Sequence, residues 1–338
     1  MTVNVDLIIP GLLDIPVEEL DPSFVKTGLP GLNHLLGFSR SYQNRAFDLE
    51  SILIQSMGWS GLKTLPFAQA FAKPELLNSD KVLLFKAVHL KADMHNAIVA
   101  PIENNRNNNH EINLIINDLS DLFKVDCDIE RLQNDLYLMV LKQCTPAQHY
   151  PHYISVIGRK ADPFIEQSKQ ALPWYKLMNE MQMFMHQHKV NQNRLDSNRL
   201  PINSLWFWGA GDLTKLNETN IHWYCDDMLL SQFAEVSEIG CSKLDEVKKT
   251  DFSCDSIVID LQILEALKSP VDVGLQDLLI DLENRIFQPL VKTIRVHKSN
   301  LRLRTGSAND LVLGRFSAWQ WWKVPKSLLD VIDHLSDE

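Results

Sequence analysis

Apolar residues recur along this chain with two periods, and the switches between them outline its elements. Residues 5 to 9, VDLII, are a β-branched run stopped by Pro10 and Gly11, the pattern of a buried strand feeding a loop. LPGLNHLLGFSR predicts a Pro-Gly turn and then a helix around Leu32 to Phe38, and DLESILIQSMG predicts an amphipathic helix stopped at Gly58. From Lys81 the period changes. KVLLFKAVHLKAD and NAIVAPIE predict two strands joined by a polar turn, the asparagine-rich ENNRNNNHE a solvated loop, and the next segment a helix from about Ile112 to Phe123. CDIERLQ and DLYLMVLK flank Asn134-Asp135 as an antiparallel pair. The longest helical pattern covers residues 163 to 189, with a break or kink at Pro173. Within it Trp174, Leu177, Met178, Met181, Met185 and His188 recur at three- and four-residue steps, which makes a buried stripe.

Beyond it, NSLWFW is strand-like and meets a Gly-Ala-Gly turn, and HWY followed by MLLSQFAEV repeats the strand-then-helix rhythm of parallel α/β structure. SIVIDL predicts a further strand, residues 272 to 294 a helix, LRLRT and DLVLGRF a last pair of strands, and the tail after WQWWK a final helix. No internal repeat is present.

Composition narrows the function classes. With 338 residues, 45% hydrophobic and 22% charged, the chain buries a sizeable core and is a folded protein of two lobes. No apolar run reaches membrane-spanning length, and VDLIIPGLLDIPV lacks a signal peptide's basic flank, so the expected location is the cytoplasm. The five cysteines, Cys127, Cys144, Cys225, Cys241 and Cys254, are widely separated with no C-x-x-C pair, which fits reduced thiols. A net charge of −10 opposes general affinity for nucleic acid. From Lys292 to Lys326, however, eight Lys or Arg face the single acid Asp310, a local balance of +7 that leaves −17 for the remainder. Arg302 and Arg304 alternate with leucines, and with Arg315 and the nearby Trp319, Trp321 and Trp322 they form a candidate polyanion surface. The plainer reading is a solvated basic face.

The passage WYKLMNEMQMFMHQHKVNQNRLDSNRLPINSLWFWGAG, Trp174 to Gly211, is the most distinctive. Its Asn179, Glu180, Gln182 and Met183, then His188, Val190, Asn191 and Arg194, then Pro201, Asn203, Ser204, Trp206, Trp208, Gly209 and Gly211 resemble the signature of the bacterial phosphoglycerate-mutase-like regulatory proteins of the RpfE type. AVHLKAD, residues 87 to 93, and the FQPL helix end with the Trp-rich segment extend the likeness. The same signature is similar to the substrate-lobe boundary of archaeal-type cofactor-independent phosphoglycerate mutases, members of the alkaline phosphatase superfamily. The resemblance implies an α/β fold: an alkaline-phosphatase-like core sheet flanked by helices, from residues 1–79 and 203–338. A smaller α/β subdomain, residues 80–202, would be inserted and end in the long helix.

Those enzymes bind two divalent metals through Asp and His and use a Ser or Thr nucleophile, because hard cations activate the hydroxyl and neutralise phosphoryl charge. Where the superfamily carries Asp-Gly after the first strand, this chain has Pro10-Gly11, and where it carries Gly-Asp-His, LRLRTGSAND has Ser307 and Ala308 after Gly306. In SIVIDLQILEALKS only Asp260 and Glu265 are suited to ligation, and His186 and His188, two apart on a helix, point away from each other. No metal ligand and no cofactor is therefore expected, Mn or Zn entering only if an active phosphoglycerate mutase or phosphohydrolase has its ligands elsewhere, for instance at Asp14.

The expected function is a non-catalytic regulatory relative that binds a small anionic ligand or a protein partner. Its candidate ligand residues are His188, Asn191, Arg194, Arg199, Asn203, Ser204, Trp206, Trp208, Gly209 and Gly211. Arg194 and Arg199 offer paired hydrogen bonds to a phosphate or carboxylate, or are ordinary solvated loop arginines. The Gly-Ala-Gly turn lets backbone amides approach an anion. On a strand Trp206 and Trp208 share a face, which is either a pocket wall or core. His89 reads as a structural histidine inside its strand.

Overall fold

The computed structural model describes residues 3–44, 46–59, 61–93, 96–103, 105–133, 135–146, 150–161, 172–249, 252, 254–268, 274–297, 299–314 and 324–336. The chain opens with β1 (Asn4–Ile8), α1 (Pro22–Thr27), α2 (Pro30–Phe38), β2 (Arg40–Gln43) and α3 (Leu49–Met57). It continues through β3 (Val82–Asp93), β4 (Asn96–Pro101), α4 (Arg106–Leu122), β5 (Cys127–Gln133), β6 (Leu136–Leu141), α5 (Tyr153–Val156), α6 (Leu172–Gln187), α7 (Lys189–Asp196) and β7 (Ser204–Trp208). It closes with β8 (His222–Cys225), α8 (Met228–Val236), β9 (Cys241–Ser242), β10 (Ser256–Ile259), α9 (Gln262–Lys268), α10 (Leu275–Leu282), α11 (Gln288–His297), β11 (Asn300–Arg304), β12 (Asn309–Leu313) and α12 (Leu328–Ser336). Two compact units result: Met1–Ser60, Asn217–Leu267 and Asp272–Glu338 form one, Gly61–Leu216 and Lys268–Val271 the other.

The first unit is a seven-stranded sheet in the order β2-β12-β11-β1-β10-β8-β9. From β11 to β9 neighbouring strands run parallel, and β12 and β2 add an antiparallel edge. The central strands are short; β10 is apolar on both faces, as a parallel sheet covered by helices requires, while β1 and β11 carry Asp6, Arg302 and Arg304 on one face. Leu7, Val258, Leu301 and Leu303 on the sheet pack with Leu32, Leu35, Leu282, Ile286 and Leu290 from the helices in one core. Helix boundaries follow local chemistry. Asp48 caps α3 in a reciprocal box with Ser51, and Gly58 ends it at φ 70°. The N-terminus of α2 is capped from afar: the buried Glu283 carboxylate accepts from Gly31 N at 2.5 Å and Leu32 N at 3.0 Å. A Cβ at Gly31 would lie 2.8 Å from that carboxylate, so close approach is why glycine stands there.

The second unit is a five-stranded antiparallel sheet ordered β4-β3-β6-β5, with β7 also on β3. The twelve-residue β3 is its hub, pairing β6 over Val82–Phe85, β7 over Leu84–Val88 and β4 over Val88–Asp93. An aromatic core grips it, with Phe85 on Tyr137 at 5.2 Å and Trp174 edge-on to Phe207 at 5.0 Å.

Several expectations change. NSLWFW was expected in the larger sheet, yet β7 pairs antiparallel with β3 in the smaller one, and residues 61–79 and 203–216 lie in the second unit. The Asn-rich stretch is not a loop throughout. The Asn105 side chain accepts from Asn108 N, so α4 starts at Arg106, six residues before the first apolar position of its stripe. Pro173 is helical as the second described residue of α6; residues 163 to 171 of the expected helix lie outside the described residues. His188 is not the end of that helix but the cap of α7.

Candidate functional site

The signature segment folds as a set of internal braces within the second unit. Fully buried Asn191 on α7 donates from Nδ2 to Met185 O and Ile202 O, each at 2.7 Å, and accepts from Ile202 N at 2.7 Å. One side chain thus ties the end of α6 to the chain entering β7. His188 Nδ1 accepts from Val190 N at 3.2 Å, and its Nε2 lies 3.1 Å from Asp118 of α4. Asn203 imitates a strand partner: its Oδ1 accepts from Leu90 N at 2.7 Å and its Nδ2 donates to Leu90 O at 3.1 Å. Ser204 accepts from Gln182 Nε2 at 2.9 Å. His89 packs as a structural histidine, its Nδ1 2.9 Å from Pro201 O.

The two arginines converge on one acid. Arg194, only 4% exposed, reaches Leu200 O at 2.7 Å, Asn108 Oδ1 at 2.8 Å and the Glu111 carboxylate. Arg199 takes the same carboxylate with both Nη atoms at 2.8 and 2.7 Å and Asn108 Oδ1 at 2.6 Å. Burial pushes the Glu111 carboxyl up, but the two guanidinium groups more than offset it and hold the carboxyl below its ordinary value. Glu111 thus occupies the fork that the sequence offered to an external anion.

Trp206 and Trp208 do share a face, and it is core. Trp206 Nε1 donates to Pro151 O at 3.1 Å, and Trp208, 1% exposed, lies against His152 and Tyr153. The cavity beside Ser204 and Phe207 measures about 10 Å³. Gly209, at φ 78°, brings its carbonyl to Ala68 N at 2.9 Å, and a Cβ there would sit 2.9 Å from that nitrogen. Gly211 O accepts from Gln69 Nε2 at 2.9 Å. The turn therefore packs on the Ala68 backbone and the Gln69 side chain.

The basic strand β11 divides its charges. Arg302 and Arg304 share a face, as alternation predicts, but that face lies under α3. Arg304 is fully buried: Nη1 donates to Ile52 O at 2.9 Å and Ser56 Oγ at 2.7 Å, Nη2 to Gln55 Oε1, and Nε to Asp310 at 3.2 Å. It is not available to a polyanion. Arg315, Trp319, Trp321 and Trp322 lie outside the described residues. Arg302 is half-buried, has no hydrogen-bond partner among the described residues, and lines a cleft of about 480 Å³ at the amino ends of β1, β10 and β11. Asn4, Asp6, Ser56, Asp255 and Asn300 also line it. Burial pushes the Asp6 carboxyl up, opposed by the Ser56 hydroxyl at 2.7 Å and by Arg302 and Arg304. Asp255 accepts from Asn4 N at 2.8 Å. The cleft was not legible from spacing: its polar residues come from four segments far apart in sequence.

The carboxyl edge of the same sheet is where open α/β sheets usually hold ligands. Here β1 runs into Pro10, whose side chain has no donor atom for a metal. Asp226, after β8, accepts from Leu244 N at 3.2 Å and pairs with Arg285, which also holds Asp245 at 3.0 Å and Asp281 at 3.1 Å. The Asp227 side chain caps α8 through Leu230 N at 2.8 Å. Asp260 accepts from Gln262 N and Nε2 at 3.0 and 3.1 Å, and burial pushes its carboxyl up to about 6. After β11, Thr305 and Ser307 hydroxyls bond each other at 2.9 Å. Among the described residues no three His, Cys, Asp or Glu side chains gather to hold a metal ion. A pair of divalent cations does not fit this donor set, since Asp226 is neutralised by Arg285, Asp227 caps α8 and Asp260 is engaged by Gln262. No helix among the described residues is long and apolar enough to cross a membrane.

No family model matches the chain. A segment of 69 residues, 20% of the chain, is 32% identical to the 2,3-bisphosphoglycerate-independent phosphoglycerate mutase of Methanosarcina mazei, covering 16% of that protein. A segment of 99 residues, 29% of the chain, is 28% identical to a probable enzyme of the same name from Geobacter sulfurreducens, covering 24% of it. The matches thus span less than a quarter of either relative. In fold the chain is similar to the PH0037 protein of Pyrococcus horikoshii, with a TM-score of 0.50 and 13% identity over 93% of this chain and 87% of that one. It also aligns with the cofactor-independent phosphoglycerate mutase of Thermoplasma acidophilum, with a TM-score of 0.41 and 13% identity over 100% of this chain and 99% of that one. These findings give a mixed α/β fold and a weak, local homology to cofactor-independent phosphoglycerate mutases.

Proposed function

We propose that this chain is a phosphoglycerate-mutase-like regulatory protein, of the RpfE type and with an alkaline-phosphatase-like core, that performs no phosphoryl transfer and binds a small hydroxylated anion in the cleft at Arg302. The observation that carries the reading is the half-buried Arg302 guanidinium, without a hydrogen-bond partner among the described residues and facing a cleft of about 480 Å³. A guanidinium presents two parallel N–H donors that match a carboxylate or phosphate. Asp6 and Asp255 on the same walls repel a bare anion and accept from hydroxyl or amino groups. The complementary ligand therefore has an anionic head for Arg302 and donors for the two carboxylates, as in a phosphorylated or simple hydroxy acid. The non-catalytic half of the reading is supported by Pro10 at the first strand end and by the commitment of Asp226 to Arg285.

The test is a thermal-shift titration of 3-phosphoglycerate, glycerate and inorganic phosphate against the protein and its Arg302→Ala variant. Ligand at a hundred times its Kd stabilises by about 2.7 kcal/mol, enough to read as a shift of several degrees. The hydroxylated anions should raise Tm more than phosphate does, and Arg302→Ala should abolish the rise. Equal shifts in both proteins would overturn the site. Turnover of phosphoglycerate in the presence of Mn or Zn, above the rate without protein, would overturn the non-catalytic assignment separately.

A further inference from the structure

Two of the five cysteines, far apart in sequence, meet in the first unit. Cys225 ends β8 and Cys241 opens β9. Trp223 is the direct Cα partner of Cys241 in the parallel pair, so Cys225, two residues on, projects from the same face of the ribbon. Their Sγ atoms are 3.6 Å apart. A disulfide bond is about 2.05 Å long, so closure takes about 1.5 Å of approach. β9 is the segment that can give. It has only two residues and lies at the sheet's edge, paired on one side alone.

The two thiols differ in the way that a reactive and a resolving sulfur differ. Cys241 is partly exposed, and a hydrogen bond from Cys225 together with the Lys243 cation holds its thiol below the ordinary value against the effect of burial. Cys225 is 1% exposed, and its hydrogen bond to Cys241, its burial and the nearby Asp227 and Asp226 push it up. Partial exposure next to a cation is the setting in which thiolates react, and a buried partner within reach is what completes a reversible cycle. Two of the remaining thiols are poorer targets: burial pushes Cys127 up to about 12, and burial beside Asp126 raises Cys144.

We infer that Cys225 and Cys241 form a peroxide-sensitive dithiol, a modification site independent of the ligand cleft. The Cys241 thiolate attacks one peroxide oxygen, forming an S–O bond while the O–O bond breaks and the departing hydroxide takes a proton to leave as water. The Cys225 sulfur then attacks the sulfenic sulfur; the S–S bond forms, the S–O bond breaks, and the leaving oxygen departs as water with the Cys225 proton. Two thiols and one hydrogen peroxide give one disulfide and two waters, and two electrons pass from sulfur to oxygen. Asp226 follows Cys225 directly and anchors both Leu244 N and Arg285, so drawing β9 onto β8 is transmitted to the carboxyl edge of the sheet.

The protein is reduced, desalted, treated with stoichiometric hydrogen peroxide and analysed by intact mass and non-reducing peptide mapping. The expected product has lost two hydrogens, retains three of its five free thiols and yields one linked peptide pair containing Cys225 and Cys241, reversed by dithiothreitol. Cys225→Ser should instead stop at a single added oxygen on Cys241, trapped by dimedone, and Cys241→Ser should lose no thiol at the same dose. The wild-type map stands by itself if either variant fails to fold. Five intact thiols, or a first linkage or oxidation at Cys144 or Cys254, would overturn the inference.

Discussion

Arg304→Met tests whether the polar cluster under α3 is built around a buried cation. The side chain has no exposure and makes hydrogen bonds to Ile52 O, Ser56 Oγ, Gln55 Oε1 and Asp310, with Asp6 Oδ2 at 3.9 Å. Methionine roughly keeps the volume and removes the charge. What remains is a 7% exposed Asp310 carboxylate whose other bond is from Asn44 Nδ2 at 2.8 Å, together with Gln55 Oε1 deprived of its guanidinium donor. Removing one member of a buried ion pair costs about 3–5 kcal/mol. For a unit of this size each kcal/mol moves Tm by about 2–4 °C, so the first unit should melt about 6–20 °C lower. Scanning calorimetry and urea unfolding measure it, with Arg302→Met as the comparison, which should stay within about 0.5 kcal/mol of wild type because its cation is half-solvated and lacks hydrogen bonds. Adding Asp310→Asn to Arg304→Met should recover part of the loss, since the stranded charge is then gone. A loss under about 1 kcal/mol, or no recovery in the double variant, would refute the picture of a charge held by the fold.

Three further outcomes follow from the same geometry. Asn191→Ala strands Ile202 N and Ile202 O in the core at about 1–3 kcal/mol per unsatisfied group, so urea unfolding of the second unit should shift to markedly lower concentration. Glu111→Gln leaves Arg194 buried without its counter-charge; a loss of about 3–5 kcal/mol is expected, and Arg199→Ala in that background should cost little more. Asp260, raised to about 6 from an ordinary 3.8, holds its proton more tightly folded than unfolded, so its contribution is most favourable below pH 4 and is lost as pH rises through 6. Asp260→Asn should therefore gain up to about 3 kcal/mol over wild type at pH 8 and nothing at pH 4, as read by urea titrations at both values.

Elements were legible wherever local chemistry decides them. The Asp48 to Gly58 helix carries both its cap and its stop in sequence, SIVI is a short apolar run suited to a covered strand, and LRLR alternates as a strand does. What escaped was pairing across distance. NSLWFW reads equally well as a strand of either sheet, and its place is set by Asn203 clasping Leu90 and by the glycine turn fitting onto Ala68, contacts more than a hundred residues away in chain. Cys225 and Cys241 looked isolated because fifteen residues of helix and turn bring them onto neighbouring strands. Asn105 hid the start of α4 because a cap within a run of asparagines has no apolar position to mark it.

Arg302 and Arg304 make the larger point, because they differ in nothing that sequence records. Both follow a leucine, both project from one face of β11, and their spacing gives them one role. The difference is made by α3, whose last turn puts Gln55, Ser56 and the Ile52 carbonyl around the second guanidinium and stops short of enclosing the first. A cation enclosed by acceptors is fixed in place and cannot leave to greet a ligand without exposing them. One at the rim of the same cluster feels the field of Asp6 and keeps donors for a newcomer. The signature arginines obey the same rule with the opposite result: Glu111 closes on both, so a segment rich in residues suited to anions braces the second unit. Ligand capacity in this chain is therefore decided by which polar side chains the packing leaves half covered, and that is a property of helix placement.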